Sequence, residues 1–214
     1  MGLVVAAIPA LVLAVGLVVL QRLRLVVATS IELERAGDAE VNDETHRRAA
    51  SFSECGYRQL AVYRGRFRET GFSIVVMAGP GGESWAEVTD QVWETASAYG
   101  PRLVRTATNA MMPAGPTFVQ CIPAGPPETI VAEHRRVLET LERRGLRPDR
   151  LDDDEILRRF ESETWATMAI LKRSPWRTAV DLAWRRPLRR HHGRPALASD
   201  PRAEERIDAW LAAG

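Results

Sequence analysis

An uncharged apolar stretch at the N-terminus constrains this chain more than any other sequence feature. Residues 2–20 read GLVVAAIPALVLAVGLVVL, nineteen residues without a charged side chain. As a helix this stretch would extend about 28 Å, close to the thickness of the hydrocarbon core of a bilayer. Pro9 and Gly16 are both tolerated in helices that are surrounded by lipid. The sequence therefore predicts a transmembrane helix over residues 2–20, with the lipid bilayer as its partner.

The charges that flank this stretch predict how it is oriented. Arg22 and Arg24 follow it, whereas the terminal amine is the only positive charge before it. The positive-inside rule then places the N-terminus outside and the bulk of the chain in the cytoplasm. A cleaved signal peptide is one alternative, but there is no basic n-region and no A-x-A site; a buried core helix is the other. Because Lys172 is the only lysine, arginine-rich coding indicates a bacterial origin, and we predict a single-pass inner-membrane protein.

Composition allows one ordinary domain beside this segment. The chain has 214 residues, of which 45% are hydrophobic, and this is enough for a core. The formal net charge is only +1, so any steering toward nucleic acid or lipid must be local. Cys55 and Cys121 are too few for a disulfide framework and lack the spacing of a zinc site.

Patterning along the chain predicts four segments. We expect a transmembrane helix with its basic flank (1–24), a stalk or linker followed by a helix (25–56), an α+β domain (57–175) and a basic amphipathic C-terminal extension (176–214). The stalk is expected to continue the first helix until Gly37 interrupts it. Asn42 or Asp43 can cap the next helix, which would run to about Cys55.

Strand patterns dominate the first half of the predicted domain. Residues 58–63, 72–78, 103–108 and 117–122 are rich in alternating or β-branched residues. Residues 79–99 fit two interpretations: a helix opened by the Ser84 and Glu87 capping box, or further strands of a meander. We predict the meander. Both interpretations give an antiparallel sheet.

Two helical patterns follow, over residues 127–144 and 152–172. The first begins after Pro126 and stops at Gly145, and the second has acidic residues at its start and basic residues at its end. A shorter terminal helix fits residues 204–213. The predicted fold class is therefore α+β: one transmembrane helix, then an antiparallel sheet packed against two or more helices.

A few residues in the predicted domain invite a catalytic or binding role. Gly79–Gly82 follows a strand but lacks the remaining residues of a phosphate-binding loop, so a turn explains it. His134 beside Glu133 could act as an acid/base pair, but the apolar neighbours of His134 favour a core histidine. Cys121 lies in a strand, where burial favours a structural thiol over a nucleophile. We predict no metal and no cofactor, and the acidic residues 152–155 fit a helix N-terminus.

The C-terminal extension carries a local excess of positive charge. Between Lys172 and Arg194 eight basic residues face Asp181 alone, a net charge of +7. Apolar residues recur at helical spacing with a tryptophan at each end, which suits the surface of an anionic membrane. Binding to nucleic acid and plain solvation remain alternatives. The residues predicted to bind a membrane surface or a polyanion are Trp176, Arg177, Trp184, Arg185, Arg186, Arg189 and Arg190.

The sequence thus predicts a membrane-anchored protein whose cytoplasmic α+β domain is a non-catalytic interaction or accessory module with an unknown protein partner. The alternatives are a membrane-proximal enzyme, with His134, Glu133 and Cys121 as its candidate residues, and a nucleic-acid-binding module that uses the C-terminal arginines.

Overall fold

The computed structural model describes residues 15–21, 32–38, 41–67, 70–90, 92–108, 117–122, 125–173, 196 and 199–213. The strands are β1 (Glu32–Ala36), β2 (Arg58–Phe67), β3 (Thr70–Ala78), β4 (Trp85–Val88), β5 (Trp93–Tyr99), β6 (Arg102–Ala107) and β7 (Thr117–Cys121). The helices that follow residue 38 are α1 (Asp43–Glu54), α2 (Pro127–Glu142), α3 (Asp153–Arg173) and α4 (Ala203–Ala212).

The seven strands form one sheet in which spatial order follows chain order. Neighbours from β1 to β6 are antiparallel, but β7 lies parallel to β6, with Leu103 opposite Thr117. The prediction of a purely antiparallel sheet is therefore wrong, and the sheet is mixed. That prediction assumed a hairpin at every connection, because strand patterns carry no information on direction. A parallel neighbour instead requires the chain to return to the end at which β6 begins.

The strand meander predicted for residues 79–99 is confirmed. Trp85–Val88 and Trp93–Tyr99 are adjacent antiparallel strands with Trp85 opposite Ala96. The Ser84 hydroxyl does not cap a helix; it lies 3.1 Å from the Tyr57 hydroxyl in the core. Every residue of β5 is buried, because helices cover the sheet on both sides.

Residues 32–36 contradict the predicted helical stalk. They form β1, which pairs with β2 and extends the sheet by one strand. The charged sequence ELERA resembled a solvated helix because its polar residues satisfy either periodicity over such a short stretch. Residues 32–36 form a strand because β2 offers them a partner. The ten residues of β2 run from Arg58 to Phe67, beyond the predicted end at Tyr63.

The predicted helices near residues 43, 127, 152 and 204 are confirmed to within two residues at each end. The Asn42 side chain caps α1 by accepting from the Thr45 amide at 2.8 Å. Asp152 and Glu155 form a reciprocal capping box, in which each carboxylate accepts from the other residue's backbone amide. This capping accounts for two of the acidic residues at the start of α3.

Helices cover the two faces of the sheet with different residues. The α2 face packs against α1 and α2, and its core includes Phe52, Met77, Val88 and Ile130. The α3 face packs against the first half of α3 through Trp85, Ala96, Leu103, Ile156, Leu157 and Phe160. A third cluster places α4 beside β7, with Trp210 in edge contact with Tyr99 and Phe118.

The transmembrane helix predicted over residues 2–20 is wrong. Among the residues that the structure describes, no helix combines the length and apolar character needed to cross a bilayer. Of this stretch the structure describes residues 15–20, which are helical together with Gln21. Residues 2–14, together with Arg22 and Arg24, lie outside the described residues.

The predicted single-pass inner-membrane location, with the N-terminus outside and the bulk of the chain in the cytoplasm, depended on that span and is corrected with it. An apolar run of sufficient length is a necessary condition for a span, but it does not by itself establish one.

The glycines at 79–82 form the turn between β3 and β4. Gly81 and Gly82 both have positive φ, +72° and +73°. The Gly82 carbonyl accepts from the Leu151 amide at 2.9 Å, and a Cβ on Gly82 would lie 2.4 Å from the Leu151 carbonyl oxygen. These glycines therefore permit a reversal and a close backbone approach to the segment that leads into α3.

We expect Gly82→Ala to destabilise the protein more than Gly81→Ala. Both substitutions place alanine at positive φ, which costs about 1 kcal/mol. Gly82→Ala must in addition displace Leu151, whereas a Cβ on Gly81 meets nothing within 4 Å. Urea unfolding should show an extra loss of at least about 1 kcal/mol for Gly82→Ala. Equal losses for the two variants would show that the contact with Leu151 does not constrain the turn.

Candidate functional site

The outer edge of β1 is one end of the sheet. Its inner edge pairs with β2 over five residues, from Glu32 opposite Arg66 to Ala36 opposite Val62. Among the described parts of the chain, no element pairs with the other edge of β1. Glu34 and Arg35 are exposed, whereas Leu33 and Ala36 are half-buried. A free strand edge presents backbone donors and acceptors to any segment that can pair with them.

The opposite end of the sheet, β7, is covered. Helix α4 lies beside it, and Arg206 donates from Nη2 to the Val119 carbonyl oxygen at 2.7 Å. The same guanidinium lies 4.9 Å from the centre of the Phe118 ring. The two ends of the sheet therefore differ, because a side chain caps the backbone of β7.

A cleft of about 340 Å³ lies between β1 and α3, lined by Arg35, Asp154, Leu157, Arg158 and Glu161. The four α3 residues are spaced as one stripe of the helix, and this stripe faces β1. Leu157 is 7% exposed and provides an apolar floor between charged side chains. We call this feature the β1–α3 cleft. A strand added to β1 would place alternate side chains in it.

A hydrogen-bonded group forms the inner wall of the cleft. The Tyr63 hydroxyl donates to Glu161 Oε1 at 2.6 Å, and the Tyr63 ring packs 4.9 Å from that of Phe160. The Arg35 guanidinium lies 6.0 Å from the Tyr63 ring centre. Burial and the bond to Glu161 raise the pKa of Tyr63, and the hydrogen bond with Tyr63 raises the pKa of Arg35. The wall thus links β1, β2 and α3.

Asp38 fixes the chain just after β1. Its side chain accepts from Gln59 Nε2 at 2.6 Å, and its carbonyl oxygen lies 3.1 Å from His46 Nε2. The Val41 amide donates to the same carbonyl oxygen at 3.2 Å. These contacts bind the end of β1 to β2 and α1, so the open edge belongs to an ordered part of the sheet.

His134 lies in the core between α2 and the sheet, 2% exposed. Its Nε2 is 2.9 Å from Ser97 Oγ and its Nδ1 is 3.0 Å from Thr106 Oγ1. Ser97 donates to the Glu83 carbonyl, and Gln120 donates to Thr106 at 2.8 Å. One neutral tautomer, with the proton on Nε2, satisfies the whole series. Burial lowers the pKa of His134 to about 3.

The structure does not assemble the predicted catalytic candidates into one site. Glu133 forms an ion pair with Arg136, and its carbonyl accepts from Gln120. Cys121 follows Gln120 in β7, so its side chain lies on the face of the sheet opposite to His134. The Ser97 and His134 pair has the contact distance of a nucleophile and base, but Ser97 is 0% exposed, which leaves no access for a substrate.

An ionic cluster lies on the α3 face at the centre of the sheet. Glu87 and Glu94 are directly opposite each other on β4 and β5, and Arg105 pairs with both. The Trp85 indole donates to Glu87 at 3.0 Å. Burial raises the pKa of Glu94 to about 7; Arg105 opposes this rise and Glu87 adds to it. Burial also raises the pKa of Glu163 on α3, which Arg105 and Arg159 partly offset.

The cluster is a feature of the core and not of the cleft. The side chains of Glu87, Glu94 and Arg105 are 11% to 16% exposed. Two carboxylates directly opposite on neighbouring strands repel each other, so Arg105 is needed between them. The described residues contain no group of three or more metal-ligating side chains of histidine, cysteine, aspartate or glutamate.

The surface-binding residues predicted in the C-terminal extension, Trp176 to Arg190, lie outside the described residues. Sequence reasoning missed the β1–α3 cleft because it assigned residues 25–41 to a stalk. The sequence carried no clear signal for this strand: Leu33 and Arg35 share one face and Glu34 and Ala36 share the other, so neither face is uniformly apolar. Five residues without a regular alternation do not distinguish a strand from a helix.

Comparison of the chain with protein-family models, curated proteins and solved structures finds no match.

We expect stability to fall as pH rises through the range in which Glu94 ionises. Its pKa is raised above that of an unfolded glutamate, so its favourable contribution is complete below about pH 4.5 and is lost as pH rises through about 7. Glu94→Gln should remove this fall, which we expect to be on the order of 1–3 kcal/mol. Unfolding with urea between pH 4.5 and 8 measures it. The control is Glu139→Gln, at an exposed glutamate of α2; a fall that persists in Glu94→Gln would contradict the assignment.

His134 should produce the opposite dependence at lower pH. Its pKa is depressed in the folded protein, so its contribution to stability is complete above about pH 6.5 and is lost as pH falls toward about 3. His134→Gln lowers stability throughout but should flatten this slope, which we expect to be on the order of 2–4 kcal/mol. Thermal unfolding from pH 7 to 3.5 provides the comparison. His46→Gln, at an exposed histidine of α1, should keep the wild-type slope.

Proposed function

We propose that this protein is a non-catalytic interaction module that binds an extended segment of a partner protein as an additional strand along β1. The observation that carries the proposal is the outer edge of β1, with which no element in the described part of the chain pairs, beside the β1–α3 cleft. In this mode of recognition, backbone hydrogen bonds to the edge supply affinity, and pockets for alternate side chains supply specificity.

The cleft supports this proposal through its position on the α3 face. Leu33 and Arg35 point to that face, since Leu33 packs with the α3-face core and Arg35 lies over Tyr63. The next strand would place every second side chain beneath the stripe from Asp154 to Glu161, with Leu157 as its apolar contact. About 340 Å³ accommodates one large side chain or two small ones.

The charged side chains of β1 also fit a selective interaction. Natural sheets protect their edges with charges, which prevent pairing with arbitrary strands. Glu34 and Arg35 are both exposed, so an incoming strand meets a carboxylate on one face and a guanidinium on the other. An edge of this kind rejects most extended segments and accepts a complementary one.

The location of the unusual titratable groups favours an interaction module over an enzyme. His134 and Glu94 both have strongly shifted pKa values, and both lie in the core, where a substrate would not reach them. The groups that line the cleft are solvated charges around a leucine. Such a lining suits recognition of a side chain.

We expect one of two neighbouring proline variants to block binding without unfolding the protein. Backbone amides along β1 alternate between β2 and the open edge, so either Leu33→Pro or Glu34→Pro removes an outward N–H and the other removes a hydrogen bond to β2. The variant with the smaller fall in melting temperature, after allowance for the packing that Leu33→Pro removes, identifies the outward position and is the edge-blocked protein.

The probe is a pool of synthetic octapeptides in which threonine alternates with varied residues, titrated into the full-length protein. Binding should protect amides of residues 32–36 from hydrogen exchange, and the edge-blocked protein should lose at least about tenfold in affinity. The proposal fails if peptides that bind leave these amides unprotected, if the edge-blocked protein binds equally well, or if no peptide of the pool binds.

A further inference from the structure

Charge on β1 indicates what kind of segment can pair with it. Glu34 lies on the α2 face of the sheet, directly opposite Arg64 of β2. A strand added outside β1 would place a side chain on the other flank of Glu34, within about 5 Å between Cβ atoms. An opposite charge is favourable at that distance and a like charge is unfavourable.

The α3 face favours neither a positive nor a negative side chain on the added strand. The cleft is lined by two guanidiniums, those of Arg35 and Arg158, and by two carboxylates, those of Asp154 and Glu161. Arg35 already has partners within the protein, since it lines the cleft together with Asp154 and Glu161 and its guanidinium lies 6.0 Å from the centre of the Tyr63 ring. The charges around the cleft therefore offset one another. On the α2 face, a side chain of the added strand lies beside Glu34 and about 10 Å from Arg64, two strands away, so the nearer carboxylate decides which sign the edge prefers.

A second copy of this chain does not place an opposite charge beside Glu34 without setting like charges against each other. In a symmetric antiparallel pair of β1 strands, side chains that are directly opposite each other must point to the same face of the sheet. One residue of β1 must therefore lie opposite its own copy, at the two-fold axis. Centring on Glu34 places two Glu34 carboxylates opposite each other. Centring on Arg35 does the same for two guanidiniums, and centring on Leu33 sets Glu34 against position 32, which is also a glutamate in the sequence.

We infer that the occupant of the β1 edge is a basic extended segment of a different protein, with lysine or arginine at the position opposite Glu34. This inference rests on the proposed strand addition. Five residues of β1 pair with a segment of the same length, about 17 Å, in which basic side chains lie on the α2 face and the alternate side chains enter the cleft.

Two octapeptides test the inference on the full-length chain at low ionic strength: one alternates threonine with lysine, and the other alternates threonine with glutamate. Fluorescence anisotropy should show the lysine peptide binding about fivefold more tightly. Glu34→Lys should reverse the order of the two peptides. Glu139→Lys changes the net charge equally at an exposed position of α2 and should leave the order unchanged.

The outcomes separate the inference from the function on which it rests. Strand addition stands if both peptides bind the wild type and neither binds the edge-blocked protein. In that case, the basic segment is overturned if the glutamate peptide binds as tightly as the lysine peptide or more tightly. It is also overturned if Glu34→Lys leaves the order of the two peptides unchanged. If binding of both peptides persists in the edge-blocked protein, or neither binds, both fail. Sedimentation velocity gives a further test: a dimer that forms in the wild type and is lost in the edge-blocked protein would identify a second copy as the occupant.

Discussion

Coverage of the sheet on both faces determines what the rest of the molecule can do. Helices α1 and α2 bury one face and α3 buries the other, so β5 has no exposed residue. A sheet buried in this way can offer its backbone to another chain only at its ends. Helix α4 and Arg206 cover β7, so among the described elements the outer edge of β1 is the end of the sheet that can offer its backbone to another chain.

Because both faces of the sheet are buried, two clusters of polar side chains lie in the core and must be satisfied there. His134 is accommodated by an ordered series of hydrogen bonds from Gln120 to the Glu83 carbonyl, and it stays neutral. On the other face, Arg105 holds two glutamates that would otherwise repel each other. Both clusters lie between helices and strands β4 to β7, so they define how these strands and helices align and are poorly placed to contact a ligand.

Local chemistry made much of the fold predictable. Caps and charge asymmetry identified the four described helices that follow residue 38, and turn residues with β-branched runs identified six of the seven described strands. Direction and partnership were not predictable: the parallel pairing of β7 and the recruitment of residues 32–36 into the sheet depend on contacts between distant segments. The apolar stretch at 2–20 was overinterpreted, because length and hydrophobicity are necessary for a membrane span but do not by themselves establish one. The candidate site combines both difficulties, since it joins a short strand to a helix more than 115 residues later in the chain.

The bond between Gly82 and Leu151 has a consequence for the geometry of the β1–α3 cleft. Together with the Arg58 and Asp153 ion pair, it sets where α3 begins above the sheet. Leu157 and Arg158 follow within two helical turns of Leu151. The tight reversal between β3 and β4 therefore helps to position the α3 wall of the β1–α3 cleft. Lengthening that reversal by even one residue would rotate or slide the helix, and the cleft would change its shape although none of its lining residues had been altered.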